Sequence, residues 1–382
     1  MHEVIGIDLA TRRVTFRSPY AEGSEAFDHL LLATGSTPVL PDLPDLHAHG
    51  IFGVGTLKEA ERLRAFIDHE LPRRAVVVGA GYVGLEMAEA LVRCGLEVTL
   101  AGRSPEVMRT LDPEIGARVT EAVQALGIET RLSEEMTALQ TTGGTGPTVS
   151  ADGSARRVTA VVTTGGVIPA DVVVLGLGAR PNSSLGRAAG LQLGHRGSVK
   201  VDRAQRTSAD GVWAAGDCAE TFNLVSRTAD WVPLATVANK TGRAAGQNIA
   251  GGNLAFPGCL GTAITKIGET EIARTGLLVR DLEQLGIDYA AVQIDAMTRS
   301  HYYPGKQPIT IRLLGEKGCG RLLGGQIVGG PGAGKRIDTV ATALQAGLAA
   351  EQMLDLDLAY APPFAPVWEP MLIAVRELVK NL

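Results

Sequence analysis

The sequence predicts an α/β chain that ends in a smaller α+β domain, and three observations carry that reading. Short, wholly apolar runs alternate with amphipathic helical stretches between residue 27 and about residue 180, the pattern of a parallel sheet with crossover helices. Glycine accounts for 47 of the 382 residues, about 12% against an ordinary ~7%, while aromatic residues are 4%. Such a composition suits tight strand-to-helix turns and argues against an all-β sandwich. From about residue 256 the texture changes: strand-like runs follow one another and helices come last. At roughly 100–200 residues per domain, the length predicts two or three domains. A hydrophobic content of 45% is enough for real cores and excludes a disordered chain. Lys and Arg number 36 against 41 Asp and Glu, a formal charge of −5, so no electrostatic grip on nucleic acid or a membrane surface is expected.

Residues 4–7 and 13–16 read as two strands joined by a polar turn. Residues 27–32 (FDHLLL) read as a third, running straight into Ala33-Thr34-Gly35. Thr56-Leu57-Lys58-Glu59 has the hydroxyl and the carboxylate of a capping box and opens an amphipathic helix to about Glu70. Residues 75–78 (AVVV) suit a strand buried on both faces. A turn and helix over 79–93, a strand over 97–101 and a helix from Asp112-Pro113 follow, with Asp as N-cap and Pro in the first turn. Turn residues at 142–146 and 152–153 predict a small antiparallel excursion, and 172–177 a further buried strand. In the tail, 263–267, 290–294, 309–314 and 322–328 form an antiparallel set, with helices at about 337–349 and 371–379.

The four cysteines, Cys94, Cys218, Cys259 and Cys319, are far apart in sequence. They give no C-x-x-C pair, no zinc spacing and no dense disulfide framework, which fits a reducing cytoplasm. Cys94, late in its helix, is expected in the core. The first twenty residues lack the apolar centre of a signal peptide. No paired histidine spacing suggests a metal site. Gly329 to Lys335 matches G-x-x-x-x-G-K, but Arg336 stands where a P-loop needs Ser or Thr for Mg²⁺. That segment reads as a turn before a helix.

The strongest local signal is Gly79-Ala80-Gly81-Tyr82-Val83-Gly84, a G-x-G-x-x-G between a strand and a helix. Gly79 permits the tight turn, Gly81 lets the backbone approach a pyrophosphate, and Gly84 lets helix and strand pack closely. The helix N-terminus then offers free amides and a partial positive charge to phosphates. An acid at the end of the next strand would bind the ribose hydroxyls of NAD. That strand ends instead at Gly102-Arg103-Ser104. Arg103 could pair with a 2′-phosphate, which leans the site toward NADP over NAD; a solvent-facing Arg is the alternative. Ala33-Thr34-Gly35 and Gly216-Asp217 each follow a short apolar run, and Gly178-Ala179-Arg180-Pro181-Asn182 stands between them in the chain.

In this order the motifs resemble the FAD- and NAD(P)-dependent pyridine nucleotide-disulfide oxidoreductases over nearly the whole chain. The resemblance rests on ATG at 33–35, GAGYVGLE at 79–86, GARPNSSL at 178–185, AAGDC at 214–218 and VPLATVANKTGRAAGQNI at 232–249. The tail motifs His301-Tyr302-Tyr303-Pro304-Gly305, Gly334-Lys335-Arg336-Ile337-Asp338 and Tyr360-Ala361-Pro362-Pro363-Phe364 are similar to those of coenzyme A-disulfide reductases and related NADH oxidases and peroxidases, the single-cysteine branch.

The resemblance implies two Rossmann-like domains for FAD and NAD(P), with a C-terminal α+β dimerisation domain. The FAD domain would comprise 1–50 and 181–255, the NAD(P) domain 51–180, and the dimerisation domain 256–382. It implies that Asp217 binds the ribityl chain of FAD, with Gly216 letting the backbone come close. A helix opening at Leu234-Ala235-Thr236-Val237 would turn its positive end to the flavin pyrimidine. Glu86 would lie near the nicotinamide–flavin contact, and Tyr302, Tyr303 and Tyr360 would reach the active site of a partner subunit in a homodimer. Asn239 falls where the reductase branch can carry a substrate-contacting His. Hydride would pass from NAD(P)H through flavin to a disulfide, persulfide or oxygen acceptor.

The strand–G-x-G-x-x-G–helix that holds the ADP part of FAD in full-length relatives, and their redox cysteine, have no counterpart in this sequence. The expectation is therefore an N-terminally truncated member. An oxidase or peroxidase, or a nucleotide-binding remnant without catalysis, are the alternatives. Pro362-Pro363 stands where glutathione-reductase-like enzymes have His-Pro, so their dithiol mechanism is not expected.

If Arg103 meets a 2′-phosphate, Arg103→Ala should weaken NADPH more than NADH, by roughly 1–3 kcal/mol, the worth of a charged hydrogen bond. Titrating both dinucleotides by fluorescence checks this; equal losses would remove the NADP preference.

Overall fold

The computed structural model describes residues 2–142 and 156–382. Two compact units result: Met1–Thr37 with Ala179–Gly261, and Pro38–Gly178 with Thr262–Leu382.

In the first unit, Glu3–Asp8, Arg13–Arg17 and Glu22–Ala26 form an antiparallel sheet in chain order. The strand expected over 27–32 is only Leu30–Leu32. Residues just before it are tied to Arg12, whose backbone oxygen accepts from Phe27 N at 2.9 Å and whose Nε donates to Phe27 O at 3.2 Å. Glu22–Ala26 went unforeseen because EGSEA has no apolar alternation; pairing with Arg13–Arg17 makes it a strand. Leu30–Leu32 pairs in parallel with Val212–Ala214, and Leu32, Val199, Val212, Ala214 and Cys218 bury a small core beside that pair. The helix Ala235–Ile249 follows.

The second unit contains a five-stranded parallel sheet in the order Ile51–Gly53, Val172–Leu175, Arg74–Val78, Glu97–Gly102, Glu129–Leu132. Its central strands are buried on both faces: Val76, Val77, Val173 and Val174 are all inaccessible to solvent. That is why their sequence reads as an unbroken apolar run. The capping box is present, with Thr56 Oγ1 accepting from Glu59 N and the Glu59 carboxylate from Thr56 N, and the helix runs Leu57–Glu70. The antiparallel excursion comprises Met136–Thr141, Val158–Thr163 and Gly166–Pro169. The turns read at 142–146 and 152–153 lie outside the described residues except for Thr142.

The tail contributes a five-stranded antiparallel sheet in the order Ala263–Ile267, Thr270–Gly276, Leu322–Gly329, Pro308–Glu316, Tyr289–Met297. The sequence suggested four strands. Thr270–Gly276 escaped because Glu271, Arg274 and Thr275 interrupt its apolar pattern, although it lies inside the sheet. Helices Ile337–Ala346 and Pro370–Val379 stand near their expected places. Ile267, Ile272 and Val328 from this sheet share one core with Val77, Leu85 and Ile115, so the tail and the parallel sheet form a single unit.

Two local readings need correction. Asp112 precedes the helix Pro113–Ala125, but its side chain caps nothing there. Its Oδ1 accepts from Val279 N at 3.0 Å, and Oδ2 accepts from Arg312 Nε at 2.9 Å and Gln326 Nε2 at 2.8 Å. Asp112 N donates to Gln326 Oε1 at 2.7 Å, and the Asp is 2% exposed. A charged hydrogen bond to a buried guanidinium outweighs a local cap. Cys94, expected in the core, is exposed. It sits at the end of helix Tyr82–Arg93, off the stripe of Gly84, Leu85, Ala88 and Leu91 that faces inward.

Removing the Asp112 carboxylate leaves Arg312 buried without its main partner, so Asp112→Ala should cost about 3–5 kcal/mol, read as a lower urea midpoint. Asp112→Asn should cost less. At the sheet's other end, hydrogen bonding from the Arg74 guanidinium holds the Asp171 carboxyl down to about 2. Its stabilisation is complete above its ordinary value and is lost as pH falls through about 2. Asp171→Asn should therefore flatten the fall in stability from about pH 4 to pH 2, measured by urea unfolding across that range.

Candidate functional site

In the second unit, the strand Arg74–Val78 ends at a turn that admits no side chain at two places. Gly79 has φ +110°, and a Cβ on it would lie 2.2 Å from the Gly176 oxygen. A Cβ on Gly84 would lie 1.7 Å from the Gly79 oxygen. Gly81 is different: nothing stands within 4 Å of where its Cβ would be. It is the N-cap residue of helix Tyr82–Arg93, and no side chain caps that helix. The first-turn amides therefore face open space, with room for an anion at a positive helix end. Ala80 holds the neighbouring loop, its oxygen accepting from Met108 N at 2.7 Å. Val83 is exposed, while Tyr82 turns inward and burial pushes its phenol up.

Arg103 follows the strand Glu97–Gly102 directly. It is exposed, and among the described residues its guanidinium has no partner. Gly178, at φ +95°, is also exposed with open space around it. Glu86 lies one turn along the helix, exposed, its Oε1 accepting from Thr265 Oγ1 at 2.9 Å. A diphosphate fits the Gly81 turn, and Arg103 is free to meet a further phosphate.

In the first unit, residues far apart in sequence converge on the ends of the parallel pair. Thr34 Oγ1 donates to Asn182 O at 2.5 Å, Asn182 Nδ2 to Thr34 O at 2.9 Å, and Asn182 N to Gly35 O at 2.9 Å. Ser36 Oγ donates to Asp217 Oδ2 at 3.0 Å, and Trp231 Nε1 to Asp217 O at 2.7 Å. Gly216 adopts φ +75° beside Ala238, and its N–H donates to Thr241 Oγ1 at 3.0 Å. The turn thus packs on helix Ala235–Ile249, whose N-terminus has no side-chain cap and whose Ala235 and Thr236 are exposed. Ala33 and Thr34 are exposed as well. Among the described residues Asp217 Oδ1 has no partner, so it is available to a ligand hydroxyl. A ligand with hydroxyl donors fits this acceptor, and the uncapped helix end favours negative charge on a group held there.

The sequence pointed to Asp217 but not to the residues that fix it and its neighbours Gly216 and Thr34. Ser36 and Thr241 carry no local signal at all. Asn182 was visible inside the GARPN motif, and Trp231 as one of three tryptophans.

In the tail, Tyr302 and Tyr360 are exposed and adjacent; the Tyr302 hydroxyl, more than burial, pushes the Tyr360 phenol up. Tyr303 is half-buried and donates its N–H to Ser300 O at 2.8 Å. Cys218 is buried, its thiol near Leu32 O and Ala215 O at 3.4 and 3.3 Å. Burial pushes the Cys259 thiol up. Among the described residues, no group of three or more His, Cys, Asp or Glu could hold a metal, and no helix is long and apolar enough to cross a membrane.

Comparison with known proteins agrees with this layout. Residues 1–242 match the pyridine nucleotide-disulphide oxidoreductase family, and residues 262–371 match that family's dimerisation domain. The chain is 37% identical over 373 residues to the NAD(P)H sulfur oxidoreductase (CoA-dependent) of Pyrococcus furiosus, covering 97% of this chain and 81% of that protein. It is 28% identical over 368 residues to the coenzyme A disulfide reductase of Staphylococcus haemolyticus, covering 95% and 79%. Among solved structures it is similar to reduced Bacillus anthracis CoADR-RHD, with a TM-score of 0.92, 33% identity, and coverage of 99% of this chain and 66% of that one. A NAD-dependent persulfide reductase from A. fulgidus gives 0.91 and 36%, with coverage of 99% and 68%. The expected fold class, two Rossmann-like domains with a C-terminal α+β dimerisation domain, is the one these matches show. The chain belongs to the pyridine nucleotide-disulphide oxidoreductases, flavoenzymes that work with FAD and NAD(P)H.

Proposed function

We propose that this protein passes reducing equivalents from NAD(P)H, by way of FAD, to a small-molecule disulfide or persulfide. It would act as a homodimer in a reducing cytoplasm. The observation that carries the reading is the unpartnered Asp217 Oδ1, backed by Ser36 and Trp231 at the open end of an uncapped helix. The names of the relatives support the acceptor class: sulfur oxidoreductase in Pyrococcus furiosus and coenzyme A disulfide reductase in Staphylococcus haemolyticus.

When bound, the flavin supplies two-electron exchange between a dihydronicotinamide and a sulfur acceptor. The chain's own residues divide the remaining work. The amides after Gly81 hold the dinucleotide diphosphate, with Gly79 and Gly84 setting their position. Arg103 reads the 2′-phosphate. Asp217 accepts hydrogen bonds from flavin hydroxyls beside Ala33, Thr34 and Gly35. The end of the helix at Ala235 and Thr236 favours negative charge on the group held there. Glu86, Tyr303 and Tyr360 serve the reacting groups. On this reading the flavin belongs to 1–50 and 181–255, the dinucleotide to 51–180 and dimerisation to 256–382. None of Cys94, Cys218, Cys259 or Cys319 is assigned the redox role.

The test is flavin binding followed by acceptor choice. Asp217→Ala should weaken FAD by about 1.5–3 kcal/mol, the cost of a hydrogen bond to a charged group, seen by fluorescence titration. NAD(P)H consumption under nitrogen should need a disulfide or polysulfide. Consumption that requires oxygen and ignores disulfides would overturn the acceptor assignment in favour of an oxidase, the activity named for a Methanocaldococcus jannaschii relative 31% identical over 384 residues.

A further inference from the structure

One side chain in the tail ties together the two loops that carry its exposed tyrosines. Arg336 ends the 3₁₀ turn Gly334–Arg336, just before helix Ile337–Ala346, and its side chain is 14% exposed. Nη2 donates to Thr298 O at 2.9 Å and to Phe364 O at 2.8 Å. Nη1 donates to Gly332 O, and Nε to the Glu369 carboxylate. Thr298 opens the loop 298–307 that bears Tyr302 and Tyr303, between strands Tyr289–Met297 and Pro308–Glu316. Phe364 lies in segment 354–369, four residues after Tyr360. Glu369 in turn accepts from Met371 N and caps helix Pro370–Val379.

Among the described residues the other links between these loops are few, and one of them joins the Tyr360 hydroxyl to Tyr302 and Ser300. Ser300 N donates to Pro362 O at 3.3 Å and Ser300 Oγ to Ala365 O at 3.2 Å, both long. Tyr302, Tyr360 and Phe364 are 64%, 46% and 74% exposed, so these three rings add little buried area between the loops. Four acceptors in different directions suit the rigid guanidinium fork and its five donors; a lysine ammonium has three donors at one point.

We propose that Arg336 is a positioning residue: by binding the Thr298 and Phe364 carbonyls at once, it sets the separation of Tyr302 and Tyr360. In that way it shapes the acceptor side of the active site, a part of the inference that rests on the function proposed above. The Tyr302 hydroxyl raises the Tyr360 phenol, so the titration of that phenol reports on the separation of the two side chains.

The test uses Arg336→Met and Arg336→Lys in the full chain. Ultraviolet titration of tyrosinate, assigned with Tyr360→Phe, should show the Tyr360 phenol falling back to the ordinary range in Arg336→Met. Hydrogen exchange at the Ser300 amide should quicken at least about tenfold, while helix Ile337–Ala346 keeps its protection. With coenzyme A disulfide as probe, kcat/KM should fall about tenfold to 100-fold, as for misplaced catalytic groups, and the NADPH Kd should stay at the wild-type value. Arg336→Lys should fall between and serves if the Met variant does not fold. An unmoved titration and unmoved exchange in folded Arg336→Lys would overturn the proposal whatever the activity. Shifts in both, in a protein whose wild type turns over no disulfide, would uphold the positioning role and sink only the function proposed above.

Discussion

At the turn after Val78 three stretches of backbone meet more closely than any side chain would permit. The Gly79 oxygen sits where a Gly84 Cβ would be, and the Gly176 oxygen where a Gly79 Cβ would be. The Gly84 backbone is likewise in contact range of a Cβ on Gly176, at 3.2 Å. This triple approach lets helix Tyr82–Arg93 begin directly off the strand, with its amides beyond the sheet edge. Because all five strands of that sheet are parallel, Arg103 and Gly178 emerge at the same edge. An uncapped helix start, a cation and an open loop thus share one side for a reason of topology.

The same unit shows how polar groups can order a structure without being its main source of stability. Asp112, Arg312 and Gln326 are almost fully buried, and Arg312 and Gln326 both bond to Asp112, joining the entrance of helix Pro113–Ala125 to two tail strands. Burying such a pair costs desolvation that its attraction only partly offsets. The shared apolar core through Ile267, Ile272 and Val328 supplies the larger gain, while the ion pair links the helix entrance to the strands. Arg336 follows the same logic at the loops, where exposed aromatic residues leave a charged fork as the chief constraint.

In the first unit the groups around Asp217 are brought together by backbone pairing between distant segments. Leu30–Leu32 and Val212–Ala214 run in parallel, so the segments after them, Ala33-Thr34-Gly35 and Gly216-Asp217, leave at the same end. Ser36 and Asp217 then meet across 181 positions of sequence, and Thr34 and Asn182 across 148. Each of these bonds fixes a group that a ligand would otherwise have to order for itself, which lowers the entropic cost of binding.

Much of this was legible in the residues alone. The capping box at Thr56, the buried run at 75–78, the glycine spacing at 79–84 and the main tail helices depend on rules that act within a few residues, and the structure follows them. Glu22–Ala26 and Thr270–Gly276 were not legible, because neither has an apolar pattern and each becomes a strand through its neighbours. Asp112 looked like a cap and Cys94 like a core residue because short-range spacing cannot see a distant guanidinium or a one-position offset from a buried stripe. The chain's local chemistry therefore determined the fold class and the glycine turn. Tertiary structure alone decided which distant carbonyls, hydroxyls and charges stand beside Asp217, Asp112 and Arg336, since those partners are chosen by strand pairing and burial over long separations.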